Sequence, residues 1–370
     1  MKRKGSAMYT REQTRTVQIG PLMVGGGHPV RIQSMTNTKT RDVEATVAQI
    51  HRLEALGCEI VRATVPDMES AWAFSKIKER ISIPLVADIH FDYRLAIAAV
   101  ENGADKIRIN PGNIGSKDRV KAVADACRSR RIPIRIGVNA GSLHKDLLAK
   151  YGGPTPQAMV ESAEENIRLL EECGFEDIVV SLKASNLNTC ADAYLAFAEE
   201  YPYPLHLGIT EAGTLRDGSL KSAMGLGIML HAGIGDTIRV SLTDQPEEEI
   251  KAAKKILMFA GLRSFGVEFI SCPTCGRTSV DLVALAQQVQ EQLEDLDLPI
   301  KIAVMGCAVN GPGEAREADL GIACGNGEGL IFKKGTILYK VPEPQLVQAL
   351  VREAEKLKKE MSREALLNRG

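Results

Sequence analysis

Two cysteines three positions apart in "SCPTCGRTSV", Cys272 and Cys275, are the residues of this sequence whose spacing speaks most directly of chemistry. Cys307 follows Cys275 after 31 residues, and Glu314 follows Cys307 after six, within "VMGCAVNGPGEAREADLG". Three thiolates and a carboxylate can hold a metal. Zinc is one reading, although structural zinc sites normally close with cysteine or histidine and no fitting histidine lies near Cys307. Three thiolates also suit an iron–sulfur cluster, one of whose irons can carry a different ligand. The proline of "CPTCG" and the glycines of "NGPGE" allow backbone to approach inorganic sulfide closely. Spacing alone favours the cluster, leaves zinc open, and leaves open a surface role for Glu314.

A second set of reactive side chains lies at the ends of short β-branched runs. In chain order it comprises Arg31 and Gln33, Arg62, Asp88 and His90, Arg108 and Asn110, Arg135 and Asn139, Lys183, His206 and Glu211, then Arg239 and Ser241. A single arginine there could be no more than a salt bridge. Arg62, Arg108, Arg135, Lys183 and Arg239 come from five different runs, however, and in a closed barrel they converge on one cavity. Such a cavity needs an anion of more than one charge. Guanidinium forks match phosphate oxygens, and asparagine and serine add neutral donors, so a phosphate or diphosphate ester is the expected ligand. Asp88 and Glu211 either balance the arginines or move a proton. His28, His51, His144 and His231 show no metal spacing.

The elements that must position these residues are eight runs, "VRIQSM", "EIVRATV", "IPLVADIH", "KIRINPG", "IPIRIGVN", "DIVVSLKAS", "PLHLGITEAG" and "TIRVSLTD", alternating with helical patterns. In "DVEATVAQIHRLEALG", Val43, Val47, Ile50 and Leu53 share one helix face and Gly57 supplies a stop. Eight such repeats predict an α/β fold, a (β/α)8 barrel of the TIM type over residues 1–262, with its site at the C-terminal ends of the strands. "VGGGHPV" precedes the first strand and reads as a tight turn, not a dinucleotide loop. Residues 263–370 read as a smaller α+β domain carrying the cysteines. It has a strand "VEFIS", a helix "VDLVALAQQVQEQLED", a strand "IKIAVMGC", a glycine-rich loop, two short strands in "GLIFKKGTILYKVP", and a charged terminal helix with a solvated face.

The chain of 370 residues has a formal net charge of -1 and only 4% aromatic residues, which argues against nucleic acid or a membrane surface as partner. The basic N-terminus lacks an apolar stretch, and no run of roughly 20 apolar residues occurs, so a cytoplasmic protein is expected. Eight cysteines spread through a chain of this size read as thiols or metal ligands. Cys58, Cys127 and Cys173 fall near helix ends as small hydrophobes, and Cys190 and Cys324 are assigned no role.

"SCPTCGR" followed by "GCAVNGPGEAREAD", after a barrel carrying "RIQSMTNT", "VADIHFD", "KIRINPGNIG" and "HLGITEAG", resembles the 4-hydroxy-3-methylbut-2-enyl diphosphate synthase family across nearly the whole chain. The resemblance implies a [4Fe-4S] cluster held by Cys272, Cys275, Cys307 and Glu314. It implies as substrate 2-C-methyl-D-erythritol 2,4-cyclodiphosphate, opened by two-electron reduction with loss of water in the methylerythritol phosphate route to isoprenoids. An oxygen donor leaves iron more readily than a thiolate, so Glu314 also takes a catalytic role. The family's diphosphate clamp maps onto Arg62, Arg108, Asn110, Arg135, Asn139, Lys183, Arg239 and Ser241, with Asp88 and Glu211 lining the site and Glu211 moving a proton. A homodimer sharing its sites is implied, with flavodoxin or ferredoxin as electron donor. The alternatives are a non-redox barrel enzyme for phosphate esters, or a diphosphate-binding protein, each with structural zinc. A radical S-adenosylmethionine barrel lacks its three-cysteine loop here.

Overall fold

The computed structural model describes residues 8–307 and 315–367, with side chains to residue 364. Two compact units divide between Arg263 and Ser264.

The first unit begins with an antiparallel hairpin, β1 (Val17–Ile19) and β2 (Leu22–Val24), that the sequence reading did not anticipate. Eight parallel strands follow: β3 (Arg31–Met35), β4 (Ile60–Thr64), β5 (Leu85–Asp88), β6 (Lys106–Ile109), β7 (Ile134–Asn139), β8 (Ile178–Lys183), β9 (His206–Leu207) and β10 (Thr237–Ile238). They are ordered β8-β7-β6-β5-β4-β3-β10-β9, and a parallel bridge between Val180 and Leu205 closes the ring. The barrel expected from the eight runs is therefore present, although the last two strands are only two residues long.

Local chemistry explains the alternation. Asp42 accepts the Ala45 N–H and Asp67 the Ser70 N–H, so each carboxylate caps the helix that follows its strand, Val43–Ala55 and Met68–Lys78. Gly57 turns the chain out of the first of these helices at φ +98°, a conformation that costs a side chain dearly. Between β2 and β3, Gly25, Gly26 and Gly27 all take positive φ, as a tight turn requires. Within strands the two-residue period sorts side chains. On β6, Ile107 and Ile109 are buried, while Lys106 and Arg108 occupy the alternate positions, on the inward side.

The second unit is a five-stranded sheet: β11 (Glu268–Ser271), β12 (Lys301–Met305), β13 (Leu320–Cys324), β14 (Glu328–Lys333) and β15 (Thr336–Pro342), in that order. Its first two junctions are parallel and its last two antiparallel. Strand β13 was read as part of a glycine-rich loop, because Gly321 interrupts its apolar pattern. An added Cβ there would lie 2.2 Å from the Phe332 ring, so the glycine admits the aromatic across the ladder. The terminal helix Leu346–Leu367 is more than a solvated tail. Leu346, Leu350, Ala354 and Leu357 form a stripe packed with Val289, Ile302, Ile322 and Ile331. Burying each leucine of that stripe contributes about 2 kcal/mol. Among the described residues no helix is long and apolar enough to cross a membrane.

A candidate cationic active site

The barrel strands end in a cavity of about 170 Å³ lined by Arg62, Asp88, His90, Arg108, Arg135, Asn139, Ser181, Lys183, Thr210, Arg239 and Ser241. Each cation comes from a different position around the ring. Arg62 lies on β4, Arg108 on β6, Arg135 on β7 and Lys183 on β8, while Arg239 directly follows β10. The parallel register sets Arg108 beside Asp88 on one side and Arg135 on the other.

Asp88 is the one carboxylate in that lining. Its Oδ1 lies 3.2 Å from Arg108 Nη1, and its Oδ2 lies 3.7 Å from Arg62 Nε. Burial alone would raise its pKa, but Arg62, Arg108, Arg135 and His90 together outweigh burial and hold it below the usual carboxylate range. A second carboxylate reaches in from outside the lining. Glu249, on the helix Pro246–Phe259, accepts from Ser34 Oγ at 3.0 Å and from the Leu242 N–H at 3.1 Å. It pairs with Arg239 Nη2 at 3.5 Å. In sequence, Glu249 looks like part of a solvated helix start, "PEEEI", and only the fold shows that this third glutamate is 5% exposed.

Two carboxylates serve five cations. Arg135 and Lys183 make no ion pair among the described residues, although Arg135 Nη1 donates to Ser181 Oγ at 3.2 Å. Burial and the adjoining Arg135 and Arg239 charges push Lys183 well below the ordinary lysine range. Burial lowers Arg62 to about 10, opposed by Asp88 and assisted by Arg239 and Arg108, so its guanidinium remains charged at neutral pH.

Glycines make room for these long side chains. A Cβ at Gly137 would lie 2.4 Å from Arg108 Nε, and one at Gly208 would lie 2.6 Å from Lys183 Nζ. The polar residues expected at the strand ends are not all in the lining. Asn110 is buried at the start of the short helix Pro111–Ile114, its Oδ1 without a protein partner. Glu211 is exposed, one residue beyond Thr210, and holds φ +53°. Ser181 and Thr210 belong to the lining but escaped the sequence reading, and His90 was noted there without a role. The available signal was parity, since Ser181 lies two residues before Lys183 on the same strand.

The thiols lie in the second unit. Cys272 directly follows β11, and Cys307 lies two residues past β12, strands paired in parallel with Ser271 opposite Val304. The Gly306 N–H donates to Cys272 Sγ at 3.2 Å, and Thr278 Oγ1 accepts from the Cys275 N–H at 3.1 Å. Hydrogen bonds from Arg277, led by its backbone N–H, lower the Cys275 pKa. All three thiols are free of disulfides. Glu314 lies outside the described residues. Among those described, no group of three or more histidine, cysteine or acidic side chains is drawn together as a metal site. Cys58, Cys127 and Cys190 are buried, and burial pushes Cys58 and Cys127 up to about 12, as inert packing thiols require.

These features define a (β/α)8-barrel enzyme with a strongly cationic cavity, joined to a thiol-bearing sheet unit. The family model described as the GcpE TIM-barrel domain matches residues 14–254, and the GcpE protein C-terminal domain matches residues 268–356. The chain belongs to the GcpE family. It is 59% identical over 350 residues to a protein of Geobacillus kaustophilus named 4-hydroxy-3-methylbut-2-en-1-yl diphosphate synthase (flavodoxin), covering 95% of this chain and 94% of that one. A protein of the same name from Caldanaerobacter subterraneus subsp. tengcongensis is 58% identical over 350 residues, covering 95% and 99% of the two chains. Among solved structures, dihydropteroate synthase from Stenotrophomonas maltophilia matches with a TM-score of 0.50 at 16% identity. It covers 68% of this chain and 100% of its own, a likeness of fold alone.

Proposed function

We infer that the chain is an oxidoreductase that opens the ring of 2-C-methyl-D-erythritol 2,4-cyclodiphosphate to give 4-hydroxy-3-methylbut-2-enyl diphosphate, for isoprenoid precursor biosynthesis. The conversion takes up two electrons and two protons and releases one water. The observation that carries this reading is the cavity with five cations from five strands and one lining carboxylate, in a chain 59% identical to a protein bearing the synthase name. A singly charged ligand would leave most of that charge uncompensated, whereas a diphosphate supplies several oxygens to guanidinium and ammonium donors.

Arg62, Arg108, Arg135, Lys183 and Arg239 hold the diphosphate, with Asn139 and Ser241 as neutral donors and Asn110 supporting the rim. Asp88 fixes the Arg62 and Arg108 forks. Glu211 delivers a proton to the departing oxygen. Support for that role comes from its backbone, since a non-glycine residue held at φ +53° costs about 1–2 kcal/mol and such strain gathers at working sites.

Cys272, Cys275 and Cys307, completed by Glu314, would hold a [4Fe-4S] cluster. The donor set fits it. The N–H to sulfur bond from Gly306 and the lowered Cys275 both favour thiolate, the form that binds iron. When bound, such a cluster supplies electrons one at a time and a Lewis-acidic iron. The chain acts as a cytoplasmic homodimer with shared sites and takes its electrons from a small carrier, flavodoxin as in the relatives' name or a ferredoxin. Iron and acid-labile sulfide analysis of protein purified without oxygen tests the redox half of this reading. About four of each per chain, with visible absorption that bleaches on reduction, are expected. Stoichiometric zinc without sulfide, persisting after anaerobic reconstitution, would overturn it.

A further inference from the structure

Beneath the cavity lies a second layer of polar side chains inside the barrel, and the proposed function gives it no role. Parity places it there. Lys106 precedes Arg108 by two residues on β6, and Thr237 precedes Arg239 by two. Lys106 has no solvent exposure. Its Nζ donates to Gln33 Oε1 at 3.2 Å, a bond from β6 to β3 that crosses the barrel interior because two strands separate them in the ring. That is its one protein hydrogen-bond partner among the described residues, and it makes no ion pair there.

The groups around Lys106 are cations and neutral donors. Arg135 and Arg62 both act on it electrostatically and, after burial, lower its pKa well below the ordinary lysine range. His206, from β9, is fully buried and hydrogen-bonded through Nδ1 to Thr237 Oγ1 at 2.8 Å. Burial and the adjoining Arg135 charge push its imidazole well below the ordinary histidine range. The two carboxylates of the site are committed elsewhere, Asp88 to Arg62 and Arg108, and Glu249 to Arg239 and Ser34. The donors Gln33 Nε2, Arg135 Nε and Arg135 Nη2 are buried with no protein acceptor, so the layer holds donors in excess of acceptors.

A fully buried ammonium beside uncompensated guanidinium groups loses its proton more cheaply than it finds a counter-ion. Introducing several negative charges one layer above reverses that balance. We propose that Lys106 is a neutral amine in the free protein and takes up one proton when a diphosphate occupies the cationic cavity, coupling substrate capture to proton uptake. This rests on the anion reading of the cavity given above. Lys106 acts through the arginines and touches no substrate, so it is a positioning residue that sets how many protons accompany the anion.

Linkage fixes the sign. A group neutral in the free state and charged in the complex makes the dissociation constant rise tenfold for each unit of rising pH, between its free and bound pKa values. Lys183 lines the cavity itself and adds its own uptake, so the contribution of Lys106 must be read as a difference. The probe is inorganic diphosphate, titrated calorimetrically into full-length wild type and Lys106→Met at several pH values in buffers of different ionisation enthalpy. Protonation of the diphosphate itself cancels between the two proteins. Wild type is expected to take up about one proton more per diphosphate bound than Lys106→Met, and its affinity to fall about tenfold more steeply per pH unit. Equal proton counts, with diphosphate bound by both proteins, overturn the proposal and leave the anion reading intact. Failure of wild type to bind diphosphate overturns the anion reading and the proposal with it. Should Lys106→Met not fold, the 13C resonance of the Lys106 ε carbon in wild type, identified by its loss in Lys106→Gln, gives the same answer. Neutral without diphosphate and charged with it supports the proposal, and charged in both overturns it.

Discussion

Gly137→Ala adds one methyl group to β7 and removes no charged residue, yet it should damage anion binding. The added Cβ would lie 2.4 Å from Arg108 Nε, 2.8 Å from its Nη2 and 2.9 Å from its Cζ. All three atoms belong to one guanidinium, which must leave the place where it meets Asp88 at 3.2 Å. Arg108 is the flexible partner, so the strand survives and the guanidinium gives way. A charge-assisted hydrogen bond to the ligand contributes about 1.5–3 kcal/mol, so diphosphate should bind roughly 10- to 150-fold more weakly. Calorimetric titration with inorganic diphosphate measures this, beside a thermal melt that reports any loss of fold. A double-mutant cycle sharpens the test, because the alanine and an Arg108→Met change remove the same guanidinium. The pair together should cost no more affinity than Arg108→Met alone. Wild-type affinity in Gly137→Ala, or fully additive losses, would refute the reasoning.

Gly227→Ala should instead stabilise the fold, since Gly227 lies within the helix Leu215–His231 with nothing within 4 Å of an added Cβ; denaturant unfolding should show a gain of about 0.5–1 kcal/mol with diphosphate affinity unchanged. Burial raises Asp236 to about 6, against bonds from the Leu205 N–H at 2.7 Å and from Thr14. Its folded pKa exceeds the unfolded value near 3.8, so wild type should lose stability relative to Asp236→Asn as pH rises from about 4 through 6, by up to about 3 kcal/mol, in parallel urea melts. Glu211→Gln should lower kcat by about 10²–10⁴-fold and leave diphosphate affinity within a few-fold of wild type, because Glu211 stands outside the cavity lining; an unchanged kcat across pH would remove it from proton transfer.

The barrel was legible because its signal is repeated. Runs such as "EIVRATV" and "IPIRIGVN" become β4 and β7, and five cations standing at such strand ends make one cavity wherever the ring closes. What spacing could not carry was depth and distance. Lys106 reads as one more charge in "KIRINPG", and only a closed ring sets it against Gln33, 73 residues earlier. Glu249 reads as solvent-facing until the helix returns it to Ser34 and Arg239. Gly137 and Gly208 look like ordinary small residues, and their reason lies in the arginine and lysine that occupy the space a side chain would fill. Strand β13 was hidden for a related reason, since Gly321 breaks an apolar pattern in order to seat Phe332. The thiols of Cys272, Cys275 and Cys307 were visible from spacing alone.

The most direct test of the central claim is turnover. Anaerobically reconstituted protein, with iron and sulfide counted, is given 2-C-methyl-D-erythritol 2,4-cyclodiphosphate and a low-potential reductant, and the phosphorus resonances are followed. Loss of the cyclic diphosphate signals and growth of those of a linear allylic diphosphate are expected, dependent on reductant and abolished in Cys272→Ser. Fully loaded protein that binds the cyclodiphosphate and returns it unchanged under reducing conditions would contradict that claim.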